Sequence, residues 1–584
     1  MLMKKVLYVL TAMLMVAVAC KKGETPDPTP GPGPEPEPQP EAASLTLVTP
    51  AIVDLDAESG IYTIKFTTNK DWTATVDAED GTVVLGATSG QPGENIELKV
   101  TYQNVSEEDM GRVFNVVIKA GDKTAEVAFF QGLVFAYMAD SENVSVAGGK
   151  VTYNVVTNLE YTIKKYDGAE EAFPWAPVTI DEGNHLVKIT FDVAANPGYD
   201  TRSAYVKFTV PAIQVPVIDE ETGEPTGETE DYVERLYVYQ EGHASVAWLQ
   251  SLPSDFDVTN LDEPLHDATV SVAKFNGMVL VSDAVTVRAF DPATGAAANF
   301  AFPEGLPVQS ITNDDAGNLL VASFIPYGGV GSIYAIRATD TQMASPVLLI
   351  PWVNDAWSGS RGADKVAAKG DVFGNGIVTM IYGGVISYGG LTYCLAWEIK
   401  NGAADVYDYN EWNKSTHKIF NDTWFTSPEL GDDLWLSNRA VFVPAGPAVS
   451  DGFFYSGYDG LYSLYYYNGS EWLAVAEEIA NWAYAPNGMA SITWNGKKIL
   501  AISNMAYFPE WSMPSALYIV DVTNPTAPVL LSNTEYYNPA DEYVTGAQES
   551  STTDVMLEVE GNDLCATVVD SAWGVLLKIK YPKL

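Results

Sequence analysis

The feature that most constrains this chain is a unit recurring through its C-terminal half: an apolar strand, a tight polar turn and a second apolar strand. Val270–Phe275, Asn276-Gly277 and Met278–Val281 form one instance, and Ser310–Thr312, Asp315–Asn318 and Leu319–Ser323 a second. Ala490–Trp494 with Asn495-Gly496 and Ile499–Ile502 repeats it, as does Val555–Val559 with Gly561-Asn562 and Leu564–Val568. Third strands follow at Ser332–Arg337, Leu461–Tyr467 and Ala516–Val522, and turns such as Asp291–Gly295 lead to a fourth. Asn-Gly between two apolar runs marks a hairpin, because its turn needs positive φ at both residues. Four-stranded meanders repeating at roughly 40 to 75 residues are the sequence pattern of β-propeller blades. We count six, starting near 270, 310, 364, 438, 488 and 553, with 410–437 long enough to hold a seventh. The last has three strands before Leu584, which leaves Ala247-Trp248-Leu249 to supply the fourth and close the ring. Closure removes sheet edges.

Upstream, residues 44–132 alternate apolar and polar positions with period two, as in Tyr62-Ile64-Phe66 and Phe114-Val116-Ile118, the pattern of a small β-sandwich. Residues 136–242 repeat it in the same order. Thr68–Thr73 (TNKDWT) matches Thr157–Thr162 (TNLEYT), and Asn104 with Arg112 matches Asn196 with Arg202. Phe129-Phe130-Gln131-Gly132 matches Val238-Tyr239-Gln240-Glu241-Gly242, so the domain is duplicated. The Trp strand, the Arg strand and the closing Gln-Gly strand resemble the BACON domain, an immunoglobulin-like module of Bacteroidetes surface and secreted proteins. The second copy departs from it in Tyr161 and in an inserted acidic hairpin, Val217–Asp231. The resemblance implies a carbohydrate-linked module that in many members serves as a spacer, with Trp72 a core aromatic rather than a sugar platform.

At the N-terminus Lys4 and Lys5 precede an apolar run, Val6–Val18, too short to span a bilayer comfortably. Ala17-Val18-Ala19-Cys20 then resembles a bacterial lipobox, which implies acylation of Cys20 and a lipid anchor. The whole arrangement resembles surface lipoproteins of Bacteroidetes polysaccharide-utilisation systems, which implies the outer membrane and the cell surface. Thr25–Pro40 (TPDPTPGPGPEPEPQP) favours polyproline II and at about 3.1 Å per residue holds the folded domains roughly 50 Å from the membrane. The expected division is a signal peptide (1–20), a Pro-rich linker (21–43), two BACON-like sandwiches (44–134 and 135–242) and a propeller (243–584), an all-β chain.

With 32 Lys+Arg against 76 Asp+Glu and a net charge of -44, nucleic acid is excluded as a partner. An anionic polysaccharide is repelled overall too, unless a local cation patch or bound Ca²⁺ compensates. Cys394 and Cys565, the other two cysteines, sit in apolar stretches and read as buried strand residues, not a disulfide framework. The histidines are His185, His243, His266 and His417; no Gly-x-Ser-x-Gly, HExxH or Cys-x-x-Cys motif occurs. No catalytic residue and no cofactor are expected. The Asp turns Asn313–Asp315 and Gly431–Asp433 are the places for Ca²⁺, although ordinary solvated turns are commoner.

Strands of a meander alternate in direction, so second-to-third loops and inter-blade loops share one face. Those loops are aromatic-rich, Tyr536-Tyr537 among them, while the other face has short turns. Inter-blade packing accounts for many of the rings. The binding candidates are Trp511, Trp357, Phe508, Tyr507, Tyr327, Trp424 and Tyr484. Aromatic rings stack on pyranose faces while polar groups take the hydroxyls. The expected function is therefore non-catalytic capture of a polysaccharide or oligosaccharide by a lipid-anchored envelope protein. A propeller scaffold for another envelope protein, and a glycoside-active enzyme, are the alternatives.

Overall fold

Period-two alternation is realised as β-strand throughout. The computed structural model describes residues 42–78, 81–105, 109–165, 173–218, 225–253, 270–323, 330–353, 360–384, 392–404, 418–419, 441–456, 464–475, 486–504, 515–537, 553–571 and 574–584. Among them the strands form many small sheets and there is no α-helix. The chain divides into two units: Met1–Asn196 with Arg202–Glu241, and Pro197–Thr201 with Gly242–Leu584.

The first unit holds two sandwiches of one plan. In the first, one sheet is ordered Leu45–Leu47, Gly60–Thr68, Gly93–Tyr102, Val83–Leu85. Its partner runs Ile52–Leu55, Lys123–Gly132, Gly111–Ala120, Trp72–Val76, Ser89–Gly90. The second repeats both orders apart from the Ser89–Gly90 strand, with Phe135–Ala139, Gly149–Thr157, Leu186–Val193, Val178–Glu182 facing Asn143–Val144, Pro225–Gln240, Arg202–Ile218, Thr162–Lys164. Each copy has the same parallel pair, Ile52–Leu55 with Lys123–Gly132 and Asn143–Val144 with Pro225–Gln240. Trp72 is a core residue: it is buried, edge-on to Phe66 at 5.1 Å, and a Cβ on Gly90 would lie 2.7 Å from its ring.

The repeated Arg and Gln have one task in both copies. Gln131 is fully buried; its amide donates to the carbonyls of Ala57, Glu58 and Gln103, and its oxygen accepts Arg112 Nε at 2.9 Å. Gln240 does the same for Ser145, Val146 and Ala194, with Arg202 Nε at 2.8 Å. One side chain thus satisfies backbone groups that no strand ladder reaches. Gln131→Leu should lower the unfolding free energy of the first sandwich by about 2 kcal/mol, read by urea denaturation, because it removes the buried amide that accepts Arg112 Nε and donates to these carbonyls. The two sandwiches meet through Phe130, Val134 and Val156, and His185 Nε2 lies 2.8 Å from Asp54 Oδ1.

Among the described residues the second unit holds six antiparallel sheets, the first five with their main strands in chain order. Their first strands are Ser271–Phe275, Ser310–Asn313, Ser360–Gly370, Val441–Pro444, Pro486–Trp494 and Thr553–Glu560. Asn276 (φ 49°) with Gly277 (φ 73°), and Asn495 (φ 53°) with Gly496 (φ 75°), make the hairpin turns expected of Asn-Gly. The sixth sheet is completed from the other end of the unit: Ser245–Ser251 pairs antiparallel with Val575–Tyr581, as read from Ala247–Leu249. Each first strand packs beside the next, and Thr553–Glu560 packs beside Ser271–Phe275. Separate cores fill the six junctions, among them Ile311 with Phe275, Val366 with Leu320, Phe442 with Ile377 and Val441 with Leu500. Leu517 with Val555, and Met556 with Val272, complete the set. Tyr536 belongs to this packing and not to a binding face: it is buried, and its hydroxyl donates to Asp570 at 3.0 Å.

Candidate functional site

The inner edge of each first strand has no sheet partner, so its backbone groups must be satisfied some other way. Neighbouring first strands supply side chains. Ser271 Oγ accepts Ile311 N–H at 2.9 Å, Ser310 Oγ accepts Val366 N–H at 3.0 Å, and Asn313 bonds both the N–H and the carbonyl of Lys274. Between these edges lies a cavity of about 490 Å³ lined by the first strands of all six sheets.

Lysines from the third sheet cross it. Lys365, buried, donates to the Thr553 carbonyl and lies 3.3 Å from Asp554 Oδ1 on the sixth sheet. The other Asp554 oxygen accepts Val272 N–H of the first sheet at 2.9 Å, so one carboxylate ties three sheets. Burial pushes the Asp554 carboxyl above the usual range, against the pull of Lys365. Lys369 reaches the Ser491 carbonyl on the fifth sheet and Asp315 Oδ1 at 2.8 Å. Glu558 takes Lys274 on one oxygen and Lys578 at 2.8 Å on the other. Burial pulls Lys578 down, but its bonds to Glu558 and Glu560 outweigh that and hold it above its ordinary value.

The chemistry this permits is bracing. Asp554 and Glu558 share one face of one strand, but their Cα atoms are about 13 Å apart along it, too far for a close carboxylate pair, and each is engaged by lysine. The Asn313–Asp315 turn is spent likewise. Asp314 accepts the N–H groups of Ala316, Asn318 and Val372 and the Asn318 amide, which leaves it a turn staple and not a Ca²⁺ ladder. Among the described residues no cluster of three His, Cys, Asp or Glu is placed to hold a metal. Cys565 is buried, and burial with Glu560 nearby pushes its thiol up to about 12.

Trp511, Trp357, Phe508, Tyr507, Tyr327, Trp424, Tyr484 and Cys20 lie outside the described residues, as do Gly431–Asp433, His266 and His417. The lysine brace was missed in sequence; its one signal is lysine four apart, Lys365 and Lys369, on an inner strand of a lysine-poor chain.

No curated protein matches this chain. A DUF4623 family protein from Bacteroides eggerthii is 10% identical over 80% of this chain and 96% of that one, with a TM-score of 0.36. A protein of unknown function from Bacteroides caccae is 14% identical over 55% and 90% of the two chains, with a TM-score of 0.27. Residues 255–563 match the family model described as a domain of unknown function (DUF8500), and the chain belongs to that family.

Proposed function

We propose that the chain is a cell-surface lipoprotein whose second unit is a closed six-bladed β-propeller presenting aromatic-rich loops to a glycan that it binds and does not cleave. The observation that carries this reading is the sixth sheet, built from both ends of the second unit and packed beside the first. Six junction cores and the alternating strand directions support it, since connections after second and fourth strands then leave from one end. On this reading the two sandwiches are BACON-type immunoglobulin-like spacers, supported by their shared strand order and the burial of Trp72. The braced cavity supports a non-catalytic role, because its lysines and carboxylates hold each other. Binding then falls to the loops, with Trp511 between Pro509 and Pro514 the leading ring.

Trp511→Ala should weaken binding to a glycan identified by array by about 2 kcal/mol, roughly thirtyfold, with the melting temperature nearly unchanged. Unaltered binding, or a large fall in melting temperature, would remove Trp511 from the site. Cys20→Ser should move the protein from the membrane to the soluble fraction; retention in the membrane would refute the anchor.

A further inference from the structure

The Thr-Asn pair that marks the duplication is also a clamp. In the first sandwich Thr68 Oγ1 donates to the Ser44 carbonyl, Asn69 Oδ1 accepts the Ser44 N–H and the Asn69 amide donates to the Ala42 carbonyl, each at 2.8 Å. In the second, Thr157 and Asn158 make the same three bonds to Val134 and Gly132, at 2.8, 3.0 and 3.0 Å. The clamp grips the chain as it enters each sandwich. Gly132 is the last residue of a strand of the first sandwich, so in the second copy Asn158 reaches across the joint.

Only Leu133 and Val134 separate the strands Lys123–Gly132 and Phe135–Ala139, and both are held. Leu133 N–H donates to the Met110 carbonyl at 3.0 Å, on the side of the first sandwich. Val134 is in the clamp on the side of the second. Around this linker Ala128 and Phe130 of the first sandwich are buried with Val156 of the second. Beside them His185 Nε2 lies 2.8 and 3.0 Å from the two Asp54 oxygens, with its ring 4.6 Å from Phe130. The clamp aligns the two copies and so supplies a comparison. Val134 matches Ser44, and Val156, the residue before the clamp threonine, matches Thr67; neither Ser44 nor Thr67 is buried. The clamp therefore belongs to the shared fold, and the apolar residues are added where two sandwiches meet.

We infer that the two sandwiches are locked into one stiff strut, a spacer of fixed length rather than a pair that swings on its linker. Domains in tandem move against each other unless an apolar interface holds them, and a linker gives freedom only through residues that nothing binds. This linker has no such residue. Any swing must break the Asn158 bonds, bring Phe130 and Val156 into water and part His185 from Asp54. The inference goes beyond the spacer reading and rests on the joint alone, so a swinging pair would leave the glycan reading standing.

The test uses the full chain with spin labels on non-natural residues in place of Asp122 and Asp192, exposed positions on the first and second sandwich, read by double electron–electron resonance. We expect one narrow distance distribution. Val134→Ser/Val156→Thr, which installs the residues of the first copy at the joint, and Asn158→Ala should each widen it about twofold or more. Asp54→Ala removes only the bridge, from an exposed carboxylate, and should widen the distribution in a chain that stays folded. Asn69→Ala loosens the same clamp away from the joint and should leave the width unchanged, which separates the joint from the stability of a sandwich. A broad distribution in the unaltered chain overturns the inference. So does a narrow one kept by all three joint variants, or equal widening by Asn69→Ala.

Discussion

Asp554→Ala is expected to destabilise the second unit by about 3–5 kcal/mol, the range for removing one partner of a buried ion pair. The carboxylate it deletes accepts Val272 N–H at 2.9 Å and faces Lys365 at 3.3 Å, so the change takes a carboxylate from a buried ammonium and an acceptor from a backbone donor together. Lys365→Met should cost less. It leaves an acid that burial already pushes toward its neutral form, and an apolar chain fills the space of the lysine stem. Calorimetry, which resolves the transitions of a chain with two units, measures both. Equal losses, or a loss under about 1 kcal/mol for Asp554→Ala, would mean that Lys365 and Asp554 do not brace the sheets.

Trp248→Ala should cost about 3–5 kcal/mol, as for a core tryptophan, and act on the junction of the sixth and first sheets. The ring is buried among Val272, Phe290, Met556 and Leu576, and its Nε1 donates to the Pro292 carbonyl at 3.0 Å. Gly295 (φ 71°) is pressed so close that an added Cβ would lie 2.5 Å from the ring. The adjacent Leu249 is 44% exposed, so Leu249→Ala on the same strand should change stability by about 0.5 kcal/mol or less. If the two variants behave alike in calorimetry, the register of Ser245–Ser251 is wrong.

Much of the strand architecture is local and so could be read from the residues. Apolar alternation and Asn-Gly turns put first strands near 270, 310, 364, 438, 488 and 553; they begin at Ser271, Ser310, Ser360, Val441, Pro486 and Thr553. The duplicated motif was legible because one geometric demand, tying an arginine and several backbone carbonyls to one buried amide, keeps Gln131 and Gln240 with their arginines. The brace was not legible. Lys365 and Asp554 are 189 positions apart, and only the arrangement of the sheets makes them neighbours. What holds the Asp314 turn was hidden for a related reason: one of its donors, the Val372 N–H, comes from the next sheet.

The reading as a glycan-binding, non-catalytic lipoprotein is tested most directly by applying the full-length chain to a glycan array and assaying the retained glycan for new reducing ends. Selective retention of a polysaccharide class with no new reducing ends is the predicted result. Retention of no glycan, or release of reducing ends from the one retained, would contradict it.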